Sequence, residues 1–369
     1  MKYPIIIIGG GIAGMAAALE LAKAGLEVLI IEKNESLGGQ AAAFACMATN
    51  QCQKCDACFA VQLRAEVATQ PKIKVMTRYE VIEVAVNAPT VEKSDQKSSS
   101  TQYAVKMQPV MGKPGNSRAS IVIFRTEVVL IASGYQPFSA EVRGEYGYGR
   151  YLRVVSSLDL EQVWRKHGNL KSTYGHLSQV AFIQCIGSRD RRTGNPYCSK
   201  VCCGYSWRMA RRMQWDYPEV EINIFYMDFQ GRRCDFLTDL NPRRLNDKKI
   251  SLIRSIPSRA YQLPGQKVVL DWEVTESGQK AQAEFDLVVL SVGIVASDFN
   301  YKLNQQLNLP IDKGGFLLPE GNCRERRPGD LLAGVFCAGT CCGAADIWTT
   351  IIQGKSIAGQ IVDYIDSNH

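Results

Sequence analysis

Four isoleucines followed by three glycines constrain the start of this chain more tightly than anything else in it. Ile5-Ile6-Ile7-Ile8 is β-branched throughout, as suits a parallel strand buried on both faces. Gly9-Gly10-Gly11-Ile12-Ala13-Gly14 then contains a G-x-G-x-x-G match. Met15 to Ala24, rich in Ala, Leu and Met, predicts a helix that Gly25 ends. Glu27 to Ile31 predicts a second apolar strand, and Glu32 stands at its end, 18 residues past Gly14. Strand, glycine turn, helix, strand and acid make a complete βαβ dinucleotide-binding unit. In such a unit Gly9 permits the tight turn, Gly11 lets the backbone approach a pyrophosphate, and Gly14 lets helix and strand pack closely. The helix N-terminus offers N–H groups and a positive dipole end to phosphates, and Glu32 offers a carboxylate to a ribose hydroxyl.

The residues that follow narrow the ligand. Lys33 leads to Leu37-Gly38-Gly39-Gln40, and a Gly-Gly pair just past the ribose-binding acid resembles two-dinucleotide-binding-domain flavoproteins, where it lies against FAD. Ala132-Ser133-Gly134 resembles the A-T-G strand end of the same proteins, with Ser133 in the Thr place. Gly334 to Gly343 resembles their last flavin-contacting segment, with Thr340 where Asp is usual. The resemblance implies FAD held by Gly9, Gly11, Ala13, Gly14, Glu32, Lys33, Gly39, Gln40, Val81, Ser133, Gly134, Gly339 and Thr340.

At 369 residues the chain is long enough for two domains with substantial cores. No apolar run approaches a membrane span and Met1-Lys2-Tyr3-Pro4 lacks a signal-peptide pattern, so a cytoplasmic location is expected. In a long cytosolic chain, 13 clustered cysteines point to metal or redox chemistry rather than to a disulfide framework. The net charge of +7 is carried between Arg189 and Arg259, where 15 Lys or Arg face 8 Asp or Glu. No nucleic-acid recognition motif accompanies that excess, so an acidic partner protein or a solvated face is the expectation.

Coarser features follow along the chain. Ala60 to Thr69 predicts a helix, and Lys72 to Val86 two strands turning near Arg78. Asn87 to Thr101 is a polar, Ser- and Lys-rich loop. Tyr103 to Val110 and Ser120 to Phe124 are expected to pair across Gly112-Lys113-Pro114-Gly115. A second strand starts at Gln179, but where a second glycine fingerprint for NAD(P) would open, the chain reads Gln184-Cys185-Ile186-Gly187-Ser188-Arg189. Cys198, Cys202 and Cys203 follow, just before a helix expected from Tyr205 to Gln214. Cys185 at the carboxyl end of a strand, and Cys202 and Cys203 near a helix start, occupy places where doubly wound folds put ligands and dipoles favour thiolates. Four such thiolates suit a [4Fe–4S] cluster, suit tetrahedral zinc, or serve as a dithiol or as packing. Cys46, Cys52, Cys55 and Cys58 form a second cluster candidate, and Cys337, Cys341 and Cys342 fall near the expected flavin site.

Phe182 to Asp190 together with Gly194-Asn195-Pro196-Tyr197-Cys198-Ser199-Lys200-Val201-Cys202-Cys203 closely resembles the A-type subunits of heterodisulfide reductase. The likeness runs from the N-terminal fingerprint through Thr49-Asn50-Gln51-Cys52 to Ala338-Gly339-Thr340-Cys341. It implies a thioredoxin-reductase-like core on which Cys185, Cys198, Cys202 and Cys203 hold a [4Fe–4S] cluster beside FAD. Methanogenic members have an additional N-terminal region and ferredoxin-like insertions or extensions. This chain starts at the flavin strand and ends after the final helix, so it resembles the short form in heterodisulfide-reductase-like complexes of sulfur oxidisers. Quinone-interacting complexes of sulfate reducers contain a similar component.

The expected fold is therefore α/β with two Rossmann-like domains. The flavin domain takes residues 1–155 and 284–369, and the cysteine-bearing domain takes 156–283. A buried strand from Ala283 to Val292 returns the chain to the flavin domain, and a helix from Ile347 to about Ile365 ends it. The expected activity is electron transfer by FAD and one [4Fe–4S] cluster, in a homodimer within a larger complex. Its rivals are an NAD(P)H-dependent disulfide reductase and a non-catalytic FAD-containing scaffold.

Overall fold

The computed structural model describes residues 2–87, 102–110, 120–230, 249–318 and 332–368. The polar loop expected after Asn87 and the Gly112–Gly115 turn lie outside the described residues. The chain divides into two compact units: Met1–Ala42, Asp56–Gln136 and Ala296–His369 form unit 1, and Ala43–Cys55 and Pro137–Val295 form unit 2.

In chain order, unit 1 begins with β1 (Ile5–Ile8), α1 (Ile12–Lys23), β2 (Val28–Ile31), α2 (Phe59–Thr69), β3 (Ile73–Met76), β4 (Tyr79–Asn87), β5 (Gln102–Pro109), β6 (Val122–Thr126) and β7 (Val128–Ile131). The chain leaves through β8 (Tyr135–Pro137). Unit 2 contains β9 (Val154–Ser156), α3 (Ser157–His167), α4 (Lys171–Tyr174), β10 (Gln179–Ile186), α5 (Cys202–Asp216), β11 (Glu221–Tyr226) and β12 (Ile250–Arg254). It continues with β13 (Arg259–Gln262), β14 (Val268–Glu273), β15 (Lys280–Phe285) and β16 (Leu287–Val292). The chain returns along β17 (Ile294–Ala296) to α6 (Asp298–Leu307), β18 (Val335–Cys337) and α7 (Ile347–Asn368) in unit 1.

Unit 1 is built on a five-stranded sheet of order β18-β7-β1-β2-β3. Its strands run parallel, with Ile8 opposite Ile31 on one side and Ile131 on the other. The central strands β1, β2 and β7 are apolar at every position because both faces are covered. The antiparallel sheet β4-β5-β6 has one buried face instead, and β5 alternates accordingly, burying Tyr103, Val105 and Met107. These side chains share one core with Ile6, Leu29 and Val129.

Unit 2 repeats the plan with a parallel sheet of order β12-β11-β10-β16-β9 and an antiparallel β13-β14-β15. Alternate residues of β10 enter two different cores: Val180 and Phe182 pack with α3 and α5, and Ala181 and Ile183 pack with Val268, Leu270 and Phe285.

The structure alters three sequence expectations. The chain changes unit near residues 136 and 296 rather than at 155 and 284, because β9 bonds β16 within the unit 2 sheet. The single strand expected from Ala283 to Val292 is two, β15 and β16. They part at Asp286, whose carboxylate accepts the N–H groups of Ser178 and Gln179 at 2.7 and 2.9 Å. The helix expected from Tyr205 starts earlier, at Cys202, so two cysteines form its first turn.

Candidate functional site

A parallel sheet brings the carboxyl ends of its strands to one edge, and in unit 1 that edge collects most of the expected flavin contacts. Gly9, Gly11, Ala13 and Gly14 follow β1, Glu32 and Lys33 follow β2, Ser133 and Gly134 follow β7, and Gly339 and Thr340 follow β18. β1 has neighbours on both sides that succeed it in the chain, which makes this edge the topological switch point of the sheet. A Cβ on Gly14 would sit 2.1 Å from the Gly9 carbonyl oxygen. One on Gly9, whose φ is +108°, would sit 2.3 Å from the Ala132 carbonyl oxygen. Only glycine fits either place. A Cβ on Gly39 would come 3.1 Å from the Gly11 Cα, so the Gly38-Gly39 turn also closes on the glycine loop. Gln40 stands exposed beside it.

Glu32 is buried and organises this edge. One carboxylate oxygen accepts the Gly10 N–H at 2.8 Å, and the other accepts the Asn34 N–H and amide at 2.8 and 2.7 Å. Its carbonyl accepts the N–H of Tyr79, two residues before the buried Val81. The N-cap of α1 is Gly11, which offers no side-chain cap, so the first N–H groups of the helix remain open to an anion. The Ser133 hydroxyl is buried at the end of β7 beside the Cys341 thiol, with no hydrogen bond of normal geometry among the described residues. A glycine cradle, an uncapped helix and an orphaned buried hydroxyl fit a bound dinucleotide.

In unit 2 the corresponding strand end carries cysteines. β10 breaks register between Ile183 and Ile186, and Cys185 takes φ +61°. That left-handed conformation costs a side-chain-bearing residue about 1–2 kcal/mol, and such strain marks functional loops. A hairpin then turns the chain back: the Arg189 N–H donates to the Tyr197 carbonyl, and Asp190 and Asn195 exchange both backbone bonds. Arg143 pins this hairpin through an ion pair with Asp190 at 2.9 Å.

The hairpin leaves Cys198 within electrostatic reach of Cys202, and α5 presents Cys202 and Cys203 from its uncapped first turn. The Cys185 and Cys202 sulfurs are 3.9 Å apart, and Cys203 donates to the Gln184 amide oxygen at 3.5 Å. Hydrogen bonding with Cys185 pushes the Cys202 thiol up, and hydrogen bonding with Cys202 together with burial does the same for Cys203. Among the described residues, no group of three or more His, Cys, Asp or Glu side chains converges as a site for a metal ion. Thiols in mutual contact satisfy one another, whereas ligation needs thiolates spread around the metal. The donor set, one cysteine on the strand end, one on the connection and two at the helix start, fits a cluster chemically.

The N-terminal quartet does not stay in one unit. Cys46, Cys52 and Cys55 lie in the Ala43–Cys55 segment of unit 2, and Cys58 stands at the start of α2 in unit 1. Ala45 and Met47 enter the unit 2 core, Glu161 accepts the Ala45 N–H, and Arg212 donates to the Ala48 carbonyl. Burial pushes Glu161 up to about 7. The sequence reading missed both residues. The available signal was a charge on the apolar stripe of α3, where Ser157, Leu160, Glu161 and Trp164 share the buried face. In unit 1, Cys341 and Cys342 lie 3.7 Å apart, and Cys341 is fully buried in the core behind Ile131.

A glycine cradle on one parallel sheet and buried cysteines at the strand end of a second fit the flavin-dependent oxidoreductase class. Residues 3–171 match the family described as pyridine nucleotide-disulphide oxidoreductase. The fold is that of thioredoxin reductases. The T. acidophilum enzyme aligns with a TM-score of 0.63 at 15% identity over 100% of this chain and 99% of that one. The Lactococcus lactis enzyme gives 0.60 at 16% identity over 99% and 100%.

In sequence the chain is similar to the A-type subunits of heterodisulfide reductase. It is 28% identical to an A-type iron-sulfur subunit of the CoB–CoM heterodisulfide reductase of Methanopyrus kandleri, over 96% of this chain and 63% of that one. It is 26% identical to the A-type subunit of the H(2):CoB-CoM heterodisulfide,ferredoxin reductase of Methanothermobacter thermautotrophicus, with the same 96% and 63% coverage. The chain thus spans a little under two thirds of the length of these relatives. No helix among the described residues is long and apolar enough to cross a membrane.

Proposed function

We propose that the chain is the FAD- and [4Fe–4S]-bearing electron-transfer subunit of a heterodisulfide-reductase-like complex, of the short form found in cytoplasmic sulfur oxidation. The observation that supports this reading is the 3.9 Å contact between the Cys185 and Cys202 sulfurs, with Cys203 next to Cys202 in the first turn of α5, at the strand end where a second nucleotide loop would otherwise stand. In this reading the glycine loop and the first turn of α1 bind the pyrophosphate, Glu32 orients the ribose, and the orphaned Ser133 hydroxyl finds its partner on the flavin. The four cysteines ligate iron as thiolates, and the Asp190 hairpin holds Cys198 in reach of the others. When bound, the flavin supplies a two-electron step and the cluster one-electron steps. Likeness to complex subunits supports partner proteins, and the family resemblance adds a homodimer.

Zinc is the second reading, because the 3.9 Å between Cys185 and Cys202 is close to the roughly 3.8 Å between sulfurs in a tetrahedral thiolate site with 2.3 Å bonds. One measurement separates the two: metal and flavin content per chain of anaerobically purified protein, with EPR after reduction. One FAD and about four irons, with the cluster signal lost in Cys202→Ala and kept in Cys55→Ala, would support the proposal. One zinc would install the second reading. Flavin without metal, and rapid flavin reduction by NADPH, would restore a dithiol reductase.

A further inference from the structure

Gln184 is an amide on an otherwise apolar face. In β10 it follows Val180 and Phe182 on the side covered by α5, and it is 1% exposed. Its oxygen accepts the Cys203 thiol at 3.5 Å, but its nitrogen has no hydrogen-bond partner among the described residues. A buried amide that leaves both of its N–H donors unused is an anomaly, and this one adjoins two of the four candidate ligands.

Ligation gives one of these donors a partner. Cys203 binds iron as a thiolate, so the proton it now shares with Gln184 is gone. An amide oxygen facing a thiolate is unfavourable. Rotation about the last side-chain torsion exchanges oxygen and nitrogen, and places an N–H where the oxygen now stands, 3.5 Å from the sulfur. The Asp228 carbonyl, 3.8 Å away, has only an acceptor to offer, and the Gln230 N–H is the other donor directed at Cys203. We propose that Gln184 is a positioning residue whose amide donates to the Cys203 thiolate and raises the reduction potential of the cluster. Donation to a ligand sulfur favours the reduced state, because that state carries more negative charge. The inference rests on the cluster reading above.

The test is a redox titration of the cluster EPR signal in the full-length flavin-loaded protein and in Gln184→Met, which keeps the side-chain length and lacks the amide. The expected result is unchanged iron and flavin, with the reduction equilibrium constant lower by about tenfold, or about 59 mV for a one-electron couple. Full iron with an unchanged potential would overturn the proposal. If Gln184→Met loses iron, unaltered protein grown with glutamine labelled with 15N at the side-chain amide decides instead. Nitrogen coupling to the reduced cluster supports the role of Gln184, and its absence refutes it. The label also enters the Gln230 side chain, but that amide donates to the Asp228 carboxylate at 3.2 Å, and the Gln230 backbone N–H directed at Cys203 carries no label. Unaltered protein that binds no iron defeats the cluster reading itself, a result distinct from either failure of Gln184.

Discussion

The β1–α1 turn of unit 1 and the β10–α5 connection of unit 2 start from the same plan and end in opposite chemistry. Three residues join strand to helix in the first and fifteen in the second. The short turn works by having no side chains: Cβ atoms at Gly9 and Gly14 would collide with carbonyl oxygens, and the space they leave belongs to backbone and ligand. The long connection works through side chains. It spends its extra length on the Asp190–Asn195 hairpin that precedes Cys198, and the strand before it ends through a left-handed Cys185. Each unit also uses a buried glutamate to hold a backbone N–H, Glu32 for Gly10 and Glu161 for Ala45. Glu32 has two further donors on Asn34, whereas burial dominates at Glu161. Backbone ligation demands the absence of atoms, and side-chain ligation demands their long-range assembly.

The sharpest way to break this contrast is Gly14→Ala. Its methyl would overlap the Gly9 carbonyl, destabilise unit 1 by about 1–3 kcal/mol and expel flavin, while the metal content proposed for unit 2 stays at the parent's level. Absorbance and metal analysis of the purified variant check both halves; retained flavin would remove the glycine cradle from consideration.

Glu161→Gln comes next. The Glu161 carboxyl titrates near 7 in the folded protein against an ordinary 4.5, so its contribution is complete below about 4.5 and is lost as pH rises through about 7. The loss amounts to about 3 kcal/mol above pH 7. Gln keeps an acceptor for Ala45 without the charge. Urea unfolding should therefore show the variant more stable than the parent at pH 8 and nearly pH-independent between 5 and 8. An identical pH profile in both proteins would mean that Glu161 is solvated.

Glu32→Gln should weaken flavin binding roughly tenfold, or about 1.4 kcal/mol, as read by flavin release on dilution. The smallest effect is at Cys185. In metal-free protein, Cys185→Gly should be more stable than Cys185→Ala by about 1 kcal/mol, since glycine alone adopts φ +61° without strain. Equal stabilities would mean that this conformation is imposed only by a bound group.

Legibility in the sequence followed the range of the interaction. β1, α1 and β2 sit where the run of isoleucines, the glycines and the Val-Leu-Ile-Ile strand place them, within a few residues. Their signals are local and act inside one βαβ unit. The alternation in β5 was equally plain, because a half-buried strand writes its register into its residues. The break at Asp286 was not plain. Apolar residues flank it, and only the N–H groups of Ser178 and Gln179 give its carboxylate a reason to divide two strands. Cys46, Cys52, Cys55 and Cys58 read as one run, yet Glu161 and Arg212 draw the first three into unit 2.

By itself the sequence determined the dinucleotide-binding start, the α/β class, the absence of glycines where a second fingerprint would open, and the identity of the cysteines that replace them. Only the tertiary structure decided where the chain changes unit, which cysteines approach one another, and that Gln184 faces Cys203 with its nitrogen unused. The reason is physical. Glycine turns and apolar strands are selected by sterics and burial over a few residues. The order β12-β11-β10-β16-β9 pairs segments more than a hundred residues apart, and a side chain's partner across such distances is set by packing that no local pattern encodes.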